Sequence, residues 1–308
     1  MAALIGESRV ERRQASDGAP LVFRSNQDAF SRYACSRPLA YALFRAAECD
    51  ELAALRVPRP VLDVGCGEGE FGVFALASPP DIGVDLLADR LAQARKAARA
   101  GTLARADACR LPFGDASFAS VLAVSVLEHF ERPATALAEI ARVLRPGGRF
   151  IATIVLSDLH QHLFYPRLLR PVGLDRGYLA AHDRVFKHKS LLPKDDWEKM
   201  VSAAGLDVIE SRKIVSPAVT RAFDFFLATA WPYRLLQQFG VRFVWRPRWM
   251  EGWCWRLFET LVHDGAGDRA EDNESEIGPM NDRNPTTAAL RSEAEAEGST
   301  LLMVAEKP

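Results

Sequence analysis

The sequence predicts an α/β fold in which a mostly parallel sheet carries helices on both faces. Three observations predict it. From residue 60 to 155 strand-like and helix-like segments alternate. The first of these strands runs directly into a glycine-rich turn that opens a helix. The segment Phe118 to Ser125 is nearly all apolar, the pattern of a strand buried on both faces.

Taken in order, residues 1–57 read as an N-terminal helical cap. Residues 1–20 are polar and mixed, and 28–56 carry helical apolar spacing through Phe30, Tyr33, Leu39, Leu43, Ala46 and Ala47, ended by Pro58 and Pro60. The core is predicted over 58–216. Its strands are VLDV (61–64), Asp81 to Asp85, Leu103 to Asp107, Phe118 to Ser125, Arg149 to Val155 and Leu206 to Val215. Helices are expected at 68–77, from Leu87 to Ala100 (closed by Gly101), from Pro133 to Leu144 and from Pro193 to Ala204 (followed by Gly205). Residues 157–190 hold four of the six histidines and read as a functional insertion in the core. An aromatic-rich helical insertion follows over 217–263. Residues 264–299 carry ten acidic and three basic residues among Gly, Asn, Pro and Ser, the composition of a flexible linker. The apolar run in 300–308 is expected to return as a C-terminal strand.

Composition narrows the function classes. The 308 residues are 48% apolar and 26% charged, ordinary for a globular protein, with a formal net charge of −1. A chain without net positive charge has no general electrostatic attraction for nucleic acid, so a nucleic-acid partner is not expected. Five scattered cysteines without CxxC pairs read as reduced thiols, not as a disulfide framework or zinc site. No run of about 18 uncharged apolar residues occurs. The expected compartment is therefore the cytoplasm, with the option of a membrane surface.

The most informative stretch is VLDVGCGEGEFG (61–72). Gly65, Gly67 and Gly69 let the backbone turn sharply and approach a ligand, and the following helix offers free N–H groups. The spacing is GxGxG. Glu70 stands where a dinucleotide loop has its third glycine, and an acidic group is a poor neighbour for a pyrophosphate. The loop therefore suits an amino-acid-like group better than a phosphate. Asp85 ends the second strand and is placed to accept from both hydroxyls of a ribose. Asp107, followed by Ala108, ends the third and is placed to accept from an exocyclic amine. Either carboxylate alone reads equally well as a helix N-cap. Together, at successive strand ends after a glycine loop, they form a nucleoside clamp.

The motifs VLDVGCGEG, GVD, ADACRLPFGDASFASVLAVSVLEHF and ARVLRPGGRFIAT, in this order, resemble the class I methyltransferases that use S-adenosylmethionine. The resemblance is closest to the small-molecule group that includes ubiquinone and menaquinone biosynthesis methyltransferases. It covers about 60–155 well and 182–215 more loosely. It implies a Rossmann-like three-layer sandwich whose mostly parallel seven-stranded sheet ends in an antiparallel strand, with a helical insertion. It also implies S-adenosyl-L-methionine as cofactor. Asp63, Gly65, Cys66 and Gly67 would surround its methionine part, with Ser125 nearby. Asp85 would hold the ribose and Leu86 the adenine face, bordered by Asp107 and Ala108. The resemblance gives the last strand pair to 206–215 and 301–307.

Methyl transfer is an in-line displacement in which positioning does much of the work, and an oxygen acceptor also benefits from a general base. The candidates carried forward are His160 and His162, just past the fifth strand, and His129 in LEHF. Tyr165 and Tyr178 lie nearby in the sequence. His182, in HDRVF, resembles a recurrent family segment, which favours a structural role. His160-x-His162 beside Asp158 is the nearest thing to a metal motif, and no metal is assigned. No NPPY-like motif of DNA-base methylation follows the fourth strand.

Five of the six tryptophans fall between Trp231 and Trp255 beside Arg234, Arg242, Arg246, Arg248 and Arg256. This pattern suits a lid over an acceptor, a peripheral contact with an anionic membrane through 223–262, or a dimer contact. The reading is methyl transfer to a small-molecule or lipid-like acceptor, at oxygen. The alternatives are a non-catalytic cofactor-binding protein of the same fold and a nicotinamide-dependent oxidoreductase. The acceptor's identity and the oligomeric state are not written in the sequence.

Overall fold

The structure, a computed structural model, describes residues 19–96, 101–227 and 296–308. Seven strands form one sheet: β1 (Val61–Val64), β2 (Ile82–Asp85), β3 (Thr102–Arg105), β4 (Phe118–Val124), β5 (Leu144–Val155), β6 (Asp207–Ile214) and β7 (Thr300–Glu306). Their spatial order is β3-β2-β1-β4-β5-β7-β6. The first five strands pair in parallel, and β7 runs antiparallel to both β5 and β6. The expected antiparallel last strand is therefore present. The strand order reverses between β1 and β4, which opens a crevice at their carboxyl ends.

Period-2 alternation sends the central strands' side chains into two cores. Leu122, Ile151 and Leu302 belong to one, and Val121, Phe150 and Leu301 to the other. The first core is covered by α1 (Asn26–Ser36) and α2 (Leu39–Leu52). Ser25 caps α1 by accepting from the Asp28 N–H, and Pro38 separates the two helices. The other helices near the glycine loop are short: α3 (Glu70–Phe74) and α4 (Ala88–Lys96). The second core packs under α5 (Pro133–Val143), which begins on a proline whose missing N–H costs nothing there.

Residues 157–190 are mostly helical: α6 (Leu159–His162), α7 (Phe164–Leu169), a 3-10 turn at 170–172, and α8 (Asp175–Phe186). Next come α9 (Lys194–Ala203), which buries Trp197 completely, and α10 (Pro217–Leu227), which packs against α2 and α7.

Several boundaries differ from expectation. The helix predicted over 68–77 covers only 70–74, because Leu76 bridges to Phe23 and the Ala75 carbonyl accepts from Arg24. The third strand ends at Arg105, and Asp107 instead stands in a turn where its carboxylate accepts the Cys109 N–H at 2.8 Å. The fifth strand begins five residues early, at Leu144. Residues 1–18, the predicted helix end at 97–100, the aromatic run beyond Leu227 and the linker to 295 lie outside the described residues. Among the described residues no helix is long and apolar enough to cross a membrane.

Candidate active site

The crevice begins where β1 ends. Gly65, Gly67 and Gly69 all take positive φ. At Gly65 (φ +75°) a Cβ would sit 2.2 Å from Cγ2 of Val126, so glycine is required both by backbone conformation and by space. The Gly65 and Cys66 N–H groups donate to the Val84 carbonyl at 2.8 and 3.0 Å. Asp85 secures the loop from the next strand: one carboxylate oxygen accepts the Gly67 N–H at 3.0 Å and the other the Leu87 N–H at 2.8 Å. Asp63 is buried beside it. Burial, then the Asp85 charge, pushes its carboxyl up to about 7.

A cavity of about 440 Å³ opens from this loop, within the usual range for small-ligand pockets of ~300–1,000 Å³. One end holds Asp63, Gly65, Cys66 and Gly67. The other is walled by Tyr41, Phe44, Phe186 and Phe223. Ser125 and His129 lie along it.

The N-terminal helices close one side through charges that reach across the chain. Arg37 binds Glu70 with its Nε at 2.8 and 3.0 Å and Glu68 through Nη2 at 2.9 Å. Glu70, which counted against a dinucleotide in the sequence, is here the anchor of the cap. Glu48 is fully buried on α2, with Arg45 at 2.6 Å, the Ser125 hydroxyl donating at 2.6 Å and the Thr153 hydroxyl at 2.7 Å. The buried ion is thus fully hydrogen-bonded, as burial demands. Ser125 itself takes a positive φ of 48° at the end of β4.

Beyond Ser125, a 3-10 turn over 127–129 presents Glu128 and His129. Burial pushes the Glu128 carboxyl up to about 8, offset in part by backbone N–H groups. Burial, then neighbouring His188, lowers His129 to about 4, so its ring is neutral at ordinary pH. The His129 and His188 rings stack, with centroids 5.8 Å apart. His188 in turn places Nδ1 3.0 Å from Oδ1 of Asp183, and His160 places Nε2 2.9 Å from the same oxygen. Burial opposes the Asp183 charge, but the imidazoles of His182, His160 and His188 together outweigh it and hold this carboxyl well below the carboxylate range.

The sequence-predicted residues therefore separate into groups. Asp63, Gly65, Cys66, Gly67, Ser125 and His129 line the cavity. Asp85 touches it through Gly67. Leu86 is exposed just past β2, and Asp107 and Ala108 lie beyond β3, outside the cavity. His160 is not on the wall and connects to it through Asp183 and then His188. His162 is buried away from the wall, its pKa lowered by that burial. Asp158 pairs with Lys213, so His160-x-His162 does not gather around it. Tyr178 donates to the buried Asp224 of α10, which also accepts the Tyr165 N–H at 2.9 Å.

Glu48 and Asp183 were not singled out in the sequence. Glu48 carried a signal: it falls on the stripe Ala40, Phe44, Glu48 of an otherwise apolar face. Asp183 carried none beyond its histidine neighbours, because the partner His160 is 23 residues away.

A family model described as a methyltransferase domain matches residues 62–152. The O-methyltransferase rstn1 of Aspergillus nomiae is 31% identical over 170 residues, 52% of this chain and 69% of that protein. The O-methyltransferase cnsE of Penicillium expansum is 34% identical over 51% of this chain and 56% of that protein. The demethylmenaquinone methyltransferase of Deinococcus radiodurans is 39% identical over 35% of this chain and 46% of that protein. The chain thus spans between about half and two-thirds of the length of these relatives. Among solved structures, the [4+2]-cyclase SpnF covers 95% of this chain and 99% of its own at 17% identity and a TM-score of 0.52, a likeness of fold.

Proposed function

The chain belongs to the class I S-adenosylmethionine-dependent methyltransferases, and we propose that it moves the methyl group of S-adenosylmethionine to a hydroxyl oxygen of a small, largely apolar acceptor. The observation that carries this reading is a cavity that joins the glycine loop to an aromatic wall. A sulfonium donor and an apolar acceptor need that juxtaposition, because the reacting atoms must be held in line.

In this reading Asp63, Cys66 and the loop backbone of Gly65 and Gly67 receive the methionine part of the cofactor, near Ser125. Asp85 holds the ribose while keeping the loop in shape. Leu86, Asp107 and Ala108 border the adenine outside the main cavity. The bound cofactor supplies an electrophilic methyl on a positively charged sulfur. The chain supplies the alignment and a desolvated wall. His129 faces the cavity as a neutral imidazole and accepts the hydroxyl proton, while His160 acts on the wall only through Asp183 and His162 stands behind it. Tyr41, Phe44, Phe186 and Phe223 would favour an acceptor with a flat or greasy body. The relatives described as O-methyltransferases support oxygen as the acceptor atom.

The test is calorimetric titration with S-adenosylhomocysteine. We expect micromolar binding by the parent chain and a loss of about 10–100-fold in Asp85→Ala, the scale of one charge-assisted hydrogen bond. No binding by folded parent protein overturns the reading. Radiolabelled methyl transfer to lipid and phenolic extracts then separates an enzyme from a protein that only holds the cofactor.

The finer setting belongs to the same proposal. The thiols of Cys49, Cys66 and Cys109 fit a reducing cytoplasm. Exposed Leu168, Val172, Leu174 and Phe225, beside Arg167 and Arg170, support a peripheral contact with an anionic bilayer. Cosedimentation with anionic vesicles at low salt is expected, weakening at high salt. Its absence removes the membrane contact and leaves the chemistry untouched.

A further inference from the structure

Three imidazoles converge on one carboxylate oxygen at the acceptor end of the cavity. His160 Nε2, His188 Nδ1 and His182 Nδ1 lie 2.9, 3.0 and 3.7 Å from Oδ1 of Asp183. The first two are hydrogen bonds. The third is too long for one, and the His182 side chain is only 2% exposed. Neither of its ring nitrogens has a hydrogen-bond partner among the described residues. A dry imidazole with both nitrogens unpaired is costly to bury. One donor atom from each of His182, Asp183 and His188 lies within 4.8 Å of the other two. A tetrahedral ion with bonds of ~2.0–2.1 Å holds its donors about 3.3 Å apart. The distances of 3.0 and 3.7 Å straddle that value.

We propose that His182, Asp183 and His188 form a site for a divalent transition-metal ion on the wall of the acceptor cavity. Two imidazoles and one carboxylate suit zinc or ferrous iron, and they discriminate against magnesium and calcium, which prefer all-oxygen shells. His160 completes the arrangement by hydrogen-bonding the same carboxylate, the support that metal-binding carboxylates usually receive. Among the described residues Asp183 pairs with imidazoles only, so no lysine or arginine competes for it. The donors also gather where α8 ends, the electronegative end of a helix.

His182 and His188 both line the cavity, so an ion held between them would lie at its wall. An ion there takes an acceptor hydroxyl as ligand and lowers its pKa. The O–H bond breaks and its proton passes to His129. The oxygen forms the new O–CH3 bond as the sulfur–methyl bond breaks, and the ion keeps its oxidation state. This catalytic role rests on the methyl-transfer reading; the ion site does not.

The test uses the metal alone. The full chain, stripped by a chelator, is titrated with Co2+ and followed by visible absorption. We expect one ion per chain with the spectrum of a nitrogen- and oxygen-ligated site, displaced by Zn2+ and not by Mg2+. Asp183→Asn and His188→Gln are each expected to weaken binding at least tenfold, and His160→Gln about 10–100-fold. Circular dichroism and the S-adenosylhomocysteine titration are run on every variant to establish that it is folded. A folded parent chain that takes up no Co2+, or uptake that survives both ligand substitutions, overturns the site. Co2+ uptake without S-adenosylhomocysteine binding instead keeps the site and removes the methyl-transfer reading.

Discussion

The cofactor end of the cavity and the packing behind it are built differently. The cofactor end comes from neighbouring stretches of chain: Gly67 and Asp85, which hold each other, are 18 residues apart. The packing behind the cavity is instead tied together from afar: Glu48 reaches Thr153 across 105 residues, and Tyr178 reaches Asp224 across 46. A site made from one β-turn-α unit is carried by backbone geometry, which glycine spacing records. A site made by packing separate helices is carried by side chains that become partners only after folding. The first region is therefore expected to be intolerant of backbone change, and the second of lost charge partners.

The largest expected effect tests the cofactor end. Gly65→Ala puts a Cβ into Val126 on a left-handed backbone, which alone costs about 1–2 kcal/mol. S-adenosylhomocysteine binding should vanish in calorimetry. Retained binding would break the claim that backbone shape governs this end. Next comes Glu48→Ala, in the packing behind the cavity. It strands Arg45 and leaves the Ser125 and Thr153 hydroxyls with each other at 3.4 Å, and removing one member of a buried pair costs ~3–5 kcal/mol. Arg45 keeps some solvent contact, so denaturant melts should show about 2–3 kcal/mol. A loss below about 1 kcal/mol would mean that the buried ion does not hold the cap.

A smaller, graded effect concerns pH. Asp63 sits near 7 and Glu128 near 8, both raised by burial above the ordinary carboxylate value of about 4. A raised folded pKa gives stability that is complete below the unfolded value and is lost as pH rises through the folded one. Thermal stability should therefore decline from about pH 4 to 8. Glu128→Gln should remove a slope that runs from about 4 to 8, and Asp63→Asn one that runs from about 4 to 7. An unchanged slope in both variants would show that these carboxyls are hydrated. The smallest effect is that of Arg37→Ala, which removes a partly exposed link between cap and loop. Such pairs contribute roughly 0–1 kcal/mol, so stability should barely change, while a looser cap raises the amide exchange of α1.

The strand series and the loop were legible in the sequence because period-2 burial and positive-φ glycines are local requirements. The separation of strand 206–215 from its partner at 301–307 was legible only through the family resemblance. Asp107 was misplaced because a strand end and an Asx-type turn look alike in one dimension: both are short apolar runs closed by an aspartate. His160 and His162 were chosen for proximity to the fifth strand, yet α6 turns one toward Asp183 and buries the other.

By itself the sequence determined the α/β sheet, the glycine loop with its flanking Asp63 and Asp85, and the family to which these point, since each depends on conformational preferences of adjacent residues. Only the tertiary structure decided that Glu70 anchors the cap through Arg37, that Glu48 lies buried beneath the cavity, and that His160, His182 and His188 meet at Asp183. Those pairings depend on how helices pack over the sheet, and a charge shows its partner only once burial has removed water as the alternative.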